Sequence, residues 1–208
     1  AKVNFINGNG SNISQSSNMP ISGRNGIFYY WHDNGQLKSE SNYKNGKLDG
    51  KYKEWHKNGQ LHADCYYKNG KLDGKYKAWY KNGQLQSDSY HKDGMMKHKY
   101  YYDNGQLMLE SNYKNGKLDG KYKEWYKNGQ LQYDTNYKDG KLDGKYKEWH
   151  KNGQLQSDSY FKNEKLDGLA RIYYENGQLK ARGYYKNGLR DGNFKGWDEN
   201  GRLKEEYY

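Results

Sequence analysis

The chain has 208 residues, 36 Lys and Arg against 25 Asp and Glu, a formal net charge of +11 and only 32% hydrophobic residues, with 25 tyrosines among them. No stretch approaches the ~20 apolar residues of a membrane-spanning helix, Cys65 stands alone and so excludes an internal disulfide framework or a multi-cysteine metal site, and the glycines lack the three-residue period of collagen. An aromatic content of 17% argues against disorder, although aliphatic residues are too few for a conventional two-layer domain.

Residues 1–20 stand apart as an N-terminal arm. Lys2–Ile6 reads as a short strand able to cap the first edge of a sheet. Asn7–Asn18, rich in Asn, Ser and Gly, reads as a flexible linker. No secretory leader is visible. If Ala1 is a processed mature end, the chain is exported or displayed at the cell surface; otherwise it is cytoplasmic.

Residues 21–208 form an array. The block Asn-Gly-Gln-Leu begins at Asn34, Asn58, Asn82, Asn104, Asn128, Asn152 and Asn176, with Asn-Gly-Arg-Leu at Asn200; the spacing is 24 residues except once, when it is 22. A second turn signal comes after each block, as Asn45-Gly46, Asn69-Gly70, Asp93-Gly94, Asn115-Gly116, Asp139-Gly140, Asn163-Glu164 and Asn187-Gly188. A third, Lys-Leu-Asp-Gly, recurs as at Lys47–Gly50 and Lys71–Gly74. Asn-Gly between alternating residues predicts a type I′ hairpin turn, which needs φ > 0 at both central positions. Each unit therefore reads as two strands, near Lys51–Lys57 and Gln60–Lys68. A turn pair this often leaves no room for helices.

On the second strand, alternation puts Leu61, Ala63, Cys65 and Tyr67 on one face, and an acid recurs on the other as Glu40, Asp64, Asp88, Glu110, Asp134 and Asp158. On the first strand, Tyr52 and Trp55 are three apart, so either both faces carry aromatics or a bulge brings them together. The fold class is all-β: an elongated single-layer antiparallel sheet of about eight stacked 24-residue β-hairpin repeats, some 75 Å long at roughly 4.8 Å per strand. Aromatic contacts and Lys–acid ladders must hold it. The unit with Gly94-Met95-Met96-Lys97-His98 lacks two residues and the Asp-Gly step, which predicts a kink or a change of curvature there. Glu205 and Glu206 make a charged terminal edge that resists further strand addition.

The unit Asn58-Gly59-Gln60-Leu61, Tyr67 through Tyr76, and Trp79-Tyr80 resembles the bacterial variant of the MORN repeat, the form found in YwqK-type antitoxin proteins. The resemblance runs from about Ser22 to Tyr208. It implies hairpin units stacked into a sheet, no enzymatic activity, structural roles for Gly50, Tyr52, Trp55 and their equivalents, and binding functions that include neutralising a toxin, scaffolding or membrane association.

The residues carry little catalytic chemistry. His32, His56 and His150 come directly after the repeat's Trp where other units place Tyr80, Tyr126 or Tyr174, an interchange that indicates packing and not metal ligation. His62, His91 and His98 show no zinc spacing. Cys65 stands where other units have serine, so it reads as a small inward residue. An acid copied in six units reads as a salt ladder, not as one member of a catalytic pair. No metal, cofactor or catalytic residue is expected. Partner contact is assigned to the aligned aromatic series Trp31, Trp55, Trp79, Tyr101, Trp125, Trp149, Tyr173 and Trp197, because binding hot spots favour Trp and Tyr; the competing role for that series is the repeat's own core. Unit-specific residues such as His62, Met95, Met96, Tyr133 and the Tyr100–Tyr102 run are placed to select a particular partner.

The function expected is a non-enzymatic protein-binding module, with an antitoxin- or immunity-like role toward a bacterial toxin as its particular form. The rival is an exported or surface protein that contacts anionic envelope, lipid or host material through its lysine and aromatic stripes. Specific nucleic-acid recognition is disfavoured, because residues 47–70 carry five Lys against three acids and the charge is interleaved.

Overall fold

The computed structural model describes residues 3–6, 12–15 and 23–208, with side chains from residue 23 onward. The chain falls into two compact units, Ala1–Gly105 and Gln106–Tyr208. Unit one comprises β1 (Val3–Ile6), β2 (Asn12–Gln15), β3 (Gly26–Trp31), β4 (Leu37–Lys44), β5 (Lys47–Trp55), β6 (Leu61–Lys68), β7 (Lys71–Trp79), β8 (Leu85–Lys92) and β9 (Met95–Tyr101). Unit two comprises β10 (Leu107–Lys114), β11 (Lys117–Trp125), β12 (Leu131–Lys138), β13 (Lys141–Trp149), β14 (Leu155–Lys162), β15 (Lys165–Leu166), β16 (Gly168–Tyr173), β17 (Leu179–Lys186), β18 (Leu189–Trp197) and β19 (Leu203–Tyr207). From β3 onward in unit one, and throughout unit two, the antiparallel sheet follows chain order, so all-β stacking of hairpins is the architecture. In unit one, β1 lies between β2 and β3. Of the segment read as a linker, only Asn12–Gln15 is described, as β2; its other residues lie outside the described ones.

Three backbone devices set each repeat, and two differ from the sequence expectation. The Asn45-Gly46 type of turn is I′, with φ of 51° and 74° at its central residues. The Asn-Gly-Gln-Leu turn is not. At Asn58-Gly59 only the glycine is left-handed, at φ 83°. Gly59 N–H donates to the His56 carbonyl at 2.9 Å, and His56 N–H to the Gln60 carbonyl at 2.8 Å. This is a three-residue loop, a type I turn completed by a left-handed glycine. The Lys-Leu-Asp-Gly block is not a turn either. It lies inside the first strand, which therefore begins at Lys47 and not at Lys51. Between the pairs Ser41↔Tyr52 and Tyr43↔Leu48, the single residue Asn42 faces three on β5. That bulge needs Gly50 at φ 111°, and the Asn42 side-chain amide bridges it by donating to the Lys51 carbonyl at 3.0 Å. The short unit explains itself here: β8 and β9 pair without interruption from Ser87↔Tyr100 to Lys92↔Met95, so the two missing residues are the bulge. Pairing is continuous through this hairpin, without the added local twist of a bulge.

Burial arises within the sheet. Reading across unit one, the paired residues are Phe28, Ser41, Tyr52, Cys65, Tyr76, Ser89 and His98. In unit two they begin Ser111, Tyr122, Thr135, Tyr146, Ser159. Large residues from first strands flank small ones from second strands, and the small ones are sealed: Ser41 is 1% exposed and Cys65 2%. The flanking rings meet a second aromatic on the diagonal, Tyr52 with Tyr67 at 5.8 Å and Tyr122 with Tyr137 at 5.6 Å, both edge-on. Their hydroxyls donate to a carboxylate two residues on, Tyr122 to Glu124 at 2.8 Å and Tyr146 to Glu148 at 2.9 Å. Cys65 fills a serine position as expected, and burial pushes its thiol up to about 11.

These devices can be tested in two ways. Glu164 sits at φ 65° where the other I′ turns carry glycine. Glu164→Gly should stabilise unit two by about 1 kcal/mol, the lower end of the cost of a left-handed non-glycine residue, read as a higher urea midpoint. Burial, with Glu54, Glu124 and Glu148 beside them, raises the hydroxyls of Tyr52, Tyr122 and Tyr146 well above the usual value. Below about pH 10 both folded and unfolded chains keep these protons; above it the unfolded chain releases them and the folded one does not. The contribution of these tyrosines is therefore complete below about pH 10 and lost as pH rises further. A urea midpoint unchanged between about pH 8 and 11 would contradict that linkage.

Candidate binding face

Register decides which face carries the tryptophans. On β5, Tyr52 and Glu54 pair with Cys65 and Ala63 on the sealed face, while Lys51 and Lys53 pair with Tyr66 and Asp64 on the other. Trp55 alternates with Glu54, so it joins the lysines. Its partner is Leu61, because one extra residue, His62, is inserted between Leu61 and Ala63. The expectation that Leu61 shares the face of Ala63, Cys65 and Tyr67 is therefore wrong: the bulge reverses the alternation for the leucine alone. Aromatics occupy both faces, and the tryptophans lie opposite the tyrosine core.

The same pairing recurs as Trp31↔Leu37, Trp79↔Leu85, Trp125↔Leu131, Trp149↔Leu155, Tyr173↔Leu179 and Trp197↔Leu203. All eight aromatics of the series, Tyr101 included, are half-buried. Trp31 packs against Tyr29 at 6.1 Å, and the Arg182 guanidinium lies 5.9 Å from the Trp197 ring.

Beside the Trp–Leu row runs the charge ladder that the recurring acid predicts. Lys77 pairs with Asp88 at 3.4 Å, Lys145 and Lys123 both reach Asp134 at 2.7 and 3.7 Å, and Lys147 reaches Asp158 at 3.4 Å. The exposed Lys77–Asp88 pair is worth ~0–1 kcal/mol, whereas Asp134 is buried between its two lysines. The pattern breaks near the end. Arg182 stands in the acid's place and pairs in register with Arg171 and Lys195, so three cations adjoin. Arg171 approaches Asp158 at 4.0 Å and Lys195 holds Glu206 at 2.7 Å, which leaves Arg182 flanked by cations on both strands.

A third row was not singled out from sequence. Tyr66, Tyr90, Tyr160 and Tyr184 are 48–52% exposed, well above the half-buried tryptophans. In register three of them neighbour lysines: Tyr66 pairs with Lys51, Tyr90 with both Lys75 and Lys97, Tyr160 with Lys145, while Tyr184 pairs with Leu169. The signal was present, since the same position holds Asn42, Asn112 and Asn136 in other units, and a site that accepts Tyr or Asn is a solvated one.

At the sheet margin the residue after each Trp reaches the next repeat. His32 Nε2 contacts the Trp55 carbonyl at 2.9 Å and His150 Nε2 the Tyr173 carbonyl at 3.2 Å; the hydroxyls of Tyr80, Tyr126 and Tyr174 donate to the carbonyls of Tyr101, Trp149 and Trp197 at 2.8 to 2.9 Å. Histidine and tyrosine interchange because each offers one donor at the same reach. One concavity of about 490 Å³ lies among Tyr30, Ser39, Tyr52 and Glu54, and another of about 430 Å³ among His150, Tyr173, Tyr174 and Lys180. In the first, the Tyr52 hydroxyl donates to the Glu54 carboxylate at 3.2 Å.

These features define a repeat protein of turn-locked β-hairpins with a patterned outer face. The MORN repeat variant profile matches residues 24–45, 48–71, 72–93, 96–115, 118–139, 142–163, 166–187 and 190–208, and the chain belongs to that family. No curated protein matches it. Repeats of this type are typically non-enzymatic and often bind membranes or proteins. Among the described residues no helix is long and apolar enough to cross a membrane.

The Trp–Leu pairing makes the tryptophans part of the fold as well as of the outer face. Trp125→Ala should cost about 2 kcal/mol, below the ~3–5 kcal/mol of a fully buried ring. Trp125→Tyr should cost less than ~1 kcal/mol, because Tyr173 fills the equivalent position against Leu179. Urea denaturation of both variants checks the order.

Proposed function

We propose that this chain is a non-enzymatic binding module that holds a protein partner on its outer face. The carrying observation is the register of three rows, Trp–Leu, Lys–acid and Tyr–Lys, repeated along both units. Half-exposed tyrosines standing in rows supply the large, rigid contact area that hot spots use, and the turns behind them fix the spacing. The resemblance to the YwqK-type repeat of bacterial antitoxins supports a toxin as the partner, neutralised by being covered. The tryptophans contribute as the half-buried floor of the contact and the tyrosines as its exposed part.

A second reading has its own observation. Arg182 between Arg171 and Lys195, with the Lys75–Tyr90–Lys97 run in unit one, favours an anionic surface as partner. Salt separates the two, because counterion-driven binding collapses as salt rises while desolvated aromatic contacts persist.

The deciding experiment uses the purified full chain to capture partners from the lysate of its own organism, with low- and then high-salt washes. One protein retained at high salt is the expected result. Acidic material that washes off would favour the second reading. The variant Tyr66→Asn, Tyr90→Asn, Tyr160→Asn carries the residue that other repeats already use, so it should fold normally. It should weaken a captured partner at least ~10-fold, as loss of a hot spot does. Unchanged affinity would remove the tyrosine row from the interface.

A further inference from the structure

One repeat differs from all others at its margin. His56 occupies the ladder position, and the inserted residue beside it is His62, where other repeats insert Lys38, Gln86, Gln132, Gln156 or Lys180. The two imidazoles lie 4.4 Å apart, centre to centre. His62 Nδ1 is 3.2 Å from His56 Nε2, His56 Nε2 is 3.2 Å from the Trp79 carbonyl oxygen, and His62 Nδ1 is 3.4 Å from that same oxygen. Three electron-pair donors thus form a nearly equilateral triangle.

Hydrogen bonding is one way to fill this triangle, and a cation is another. With both rings neutral, one N–H can point to the Trp79 carbonyl, as it does from His32 to Trp55 in the preceding repeat. The remaining nitrogen then faces an N–H already engaged, and a carbonyl oxygen that cannot donate. If both facing nitrogens carry hydrogen, each can donate to one of the two lone pairs of the Trp79 carbonyl. A cation satisfies all three donors together. The centre of a triangle with edges of about 3.3 Å lies about 1.9 Å from each corner, so a small displacement out of its plane gives the ~2.0–2.1 Å of a zinc–nitrogen bond.

We infer that His56, His62 and the Trp79 carbonyl form a binding site for a divalent cation of the imidazole-preferring class, Zn²⁺, Cu²⁺ or Ni²⁺. The cation takes the place of the shared proton. Both histidines are half-buried and reachable from solvent. Among the described residues no three His, Cys, Asp or Glu side chains converge on a metal position, so this site has two side chains and a backbone oxygen, with its remaining positions open to water. The donors come from both strands of one hairpin, β5 with its adjoining turn and β6, and from the end of β7 in the next repeat. The bound cation therefore adds a staple between successive repeats at the place where, elsewhere, one His or Tyr side chain hydrogen-bonds the next repeat's carbonyl.

The repeat itself provides variants that keep the fold. His62→Gln installs the residue of three other repeats, and His56→Tyr installs the ladder tyrosine of Tyr80. The full chain, freed of metal with chelator and exchanged into a non-coordinating buffer at neutral pH, is titrated calorimetrically with Zn²⁺ and separately with Cu²⁺. One saturable equivalent is expected, with the Irving–Williams order placing Cu²⁺ tighter. His62→Gln and His56→Tyr should each weaken binding at least ~10-fold, no less than the loss of an outer-shell partner, while His150→Tyr leaves it unchanged. Circular dichroism establishes that each variant is folded. No saturable equivalent up to millimolar metal, or equal affinity in His62→Gln and the parent, overturns the assignment.

Discussion

Among the described residues, tight turns recur that are tied to the repeat next to them, and the rest of the structure depends on that arrangement. At one margin the Asn58 side chain accepts the N–H of Gln60 within its own turn and donates to the Lys81 carbonyl of the next. Asn34, Asn128, Asn152 and Asn176 do the same toward Lys57, Lys151, Glu175 and Glu199. The glutamine of each block lies over the next turn's glycine; at Gly177 a Cβ would fall 2.9 Å from Gln154 Oε1. At the other margin the Leu48 carbonyl accepts from Gly70 N–H at 2.8 Å and the Asp49 carboxylate from Asn69 N–H at 3.1 Å, and Asp143 serves Asn163 likewise. Asn, Gly, Gln, Leu and Asp recur because each completes a neighbour. Stability is then a sum of nearest-neighbour terms, in place of the single aliphatic core that the composition does not supply.

With the margins fixed, the two faces are free to differ. One seals small residues between tyrosines and carries the carboxylates that hold their hydroxyls. The other carries tryptophan against leucine, lysine against acid, and tyrosine against lysine. The fold therefore needs few aliphatics, and the outer face varies at positions that no turn contact constrains. Asn42 and Tyr66 occupy equivalent places with the same strand around them. So do Asp158 and Arg182, at opposite charge.

Strands, period and salt ladder were legible in the sequence because they repeat, and repetition turns weak local preferences into a pattern. Bulge geometry was not legible. A two-residue alternation cannot foresee an inserted residue, so Leu61 was placed with Ala63 and not with Trp55. Gly50 looked like a turn because a left-handed glycine serves a turn and a bulge equally well. Tyr66 escaped because exposure depends on neighbours across the strand, and Lys51 became its neighbour only once register was known. The closeness of His56 and His62 was hidden for the same reason: six residues separate them in sequence, and a turn with a bulge folds that interval back on itself.

The short repeat gives the array a second word length. Removing two residues before Lys97 erased a bulge and left every later pairing intact, so the period of the chain and the register of the sheet vary independently. A bulge raises the local right-handed twist of its strand. Within unit one, the hairpin that lacks this pair of residues is therefore free of the extra twist its bulged neighbours carry, while its strands keep the same pairing.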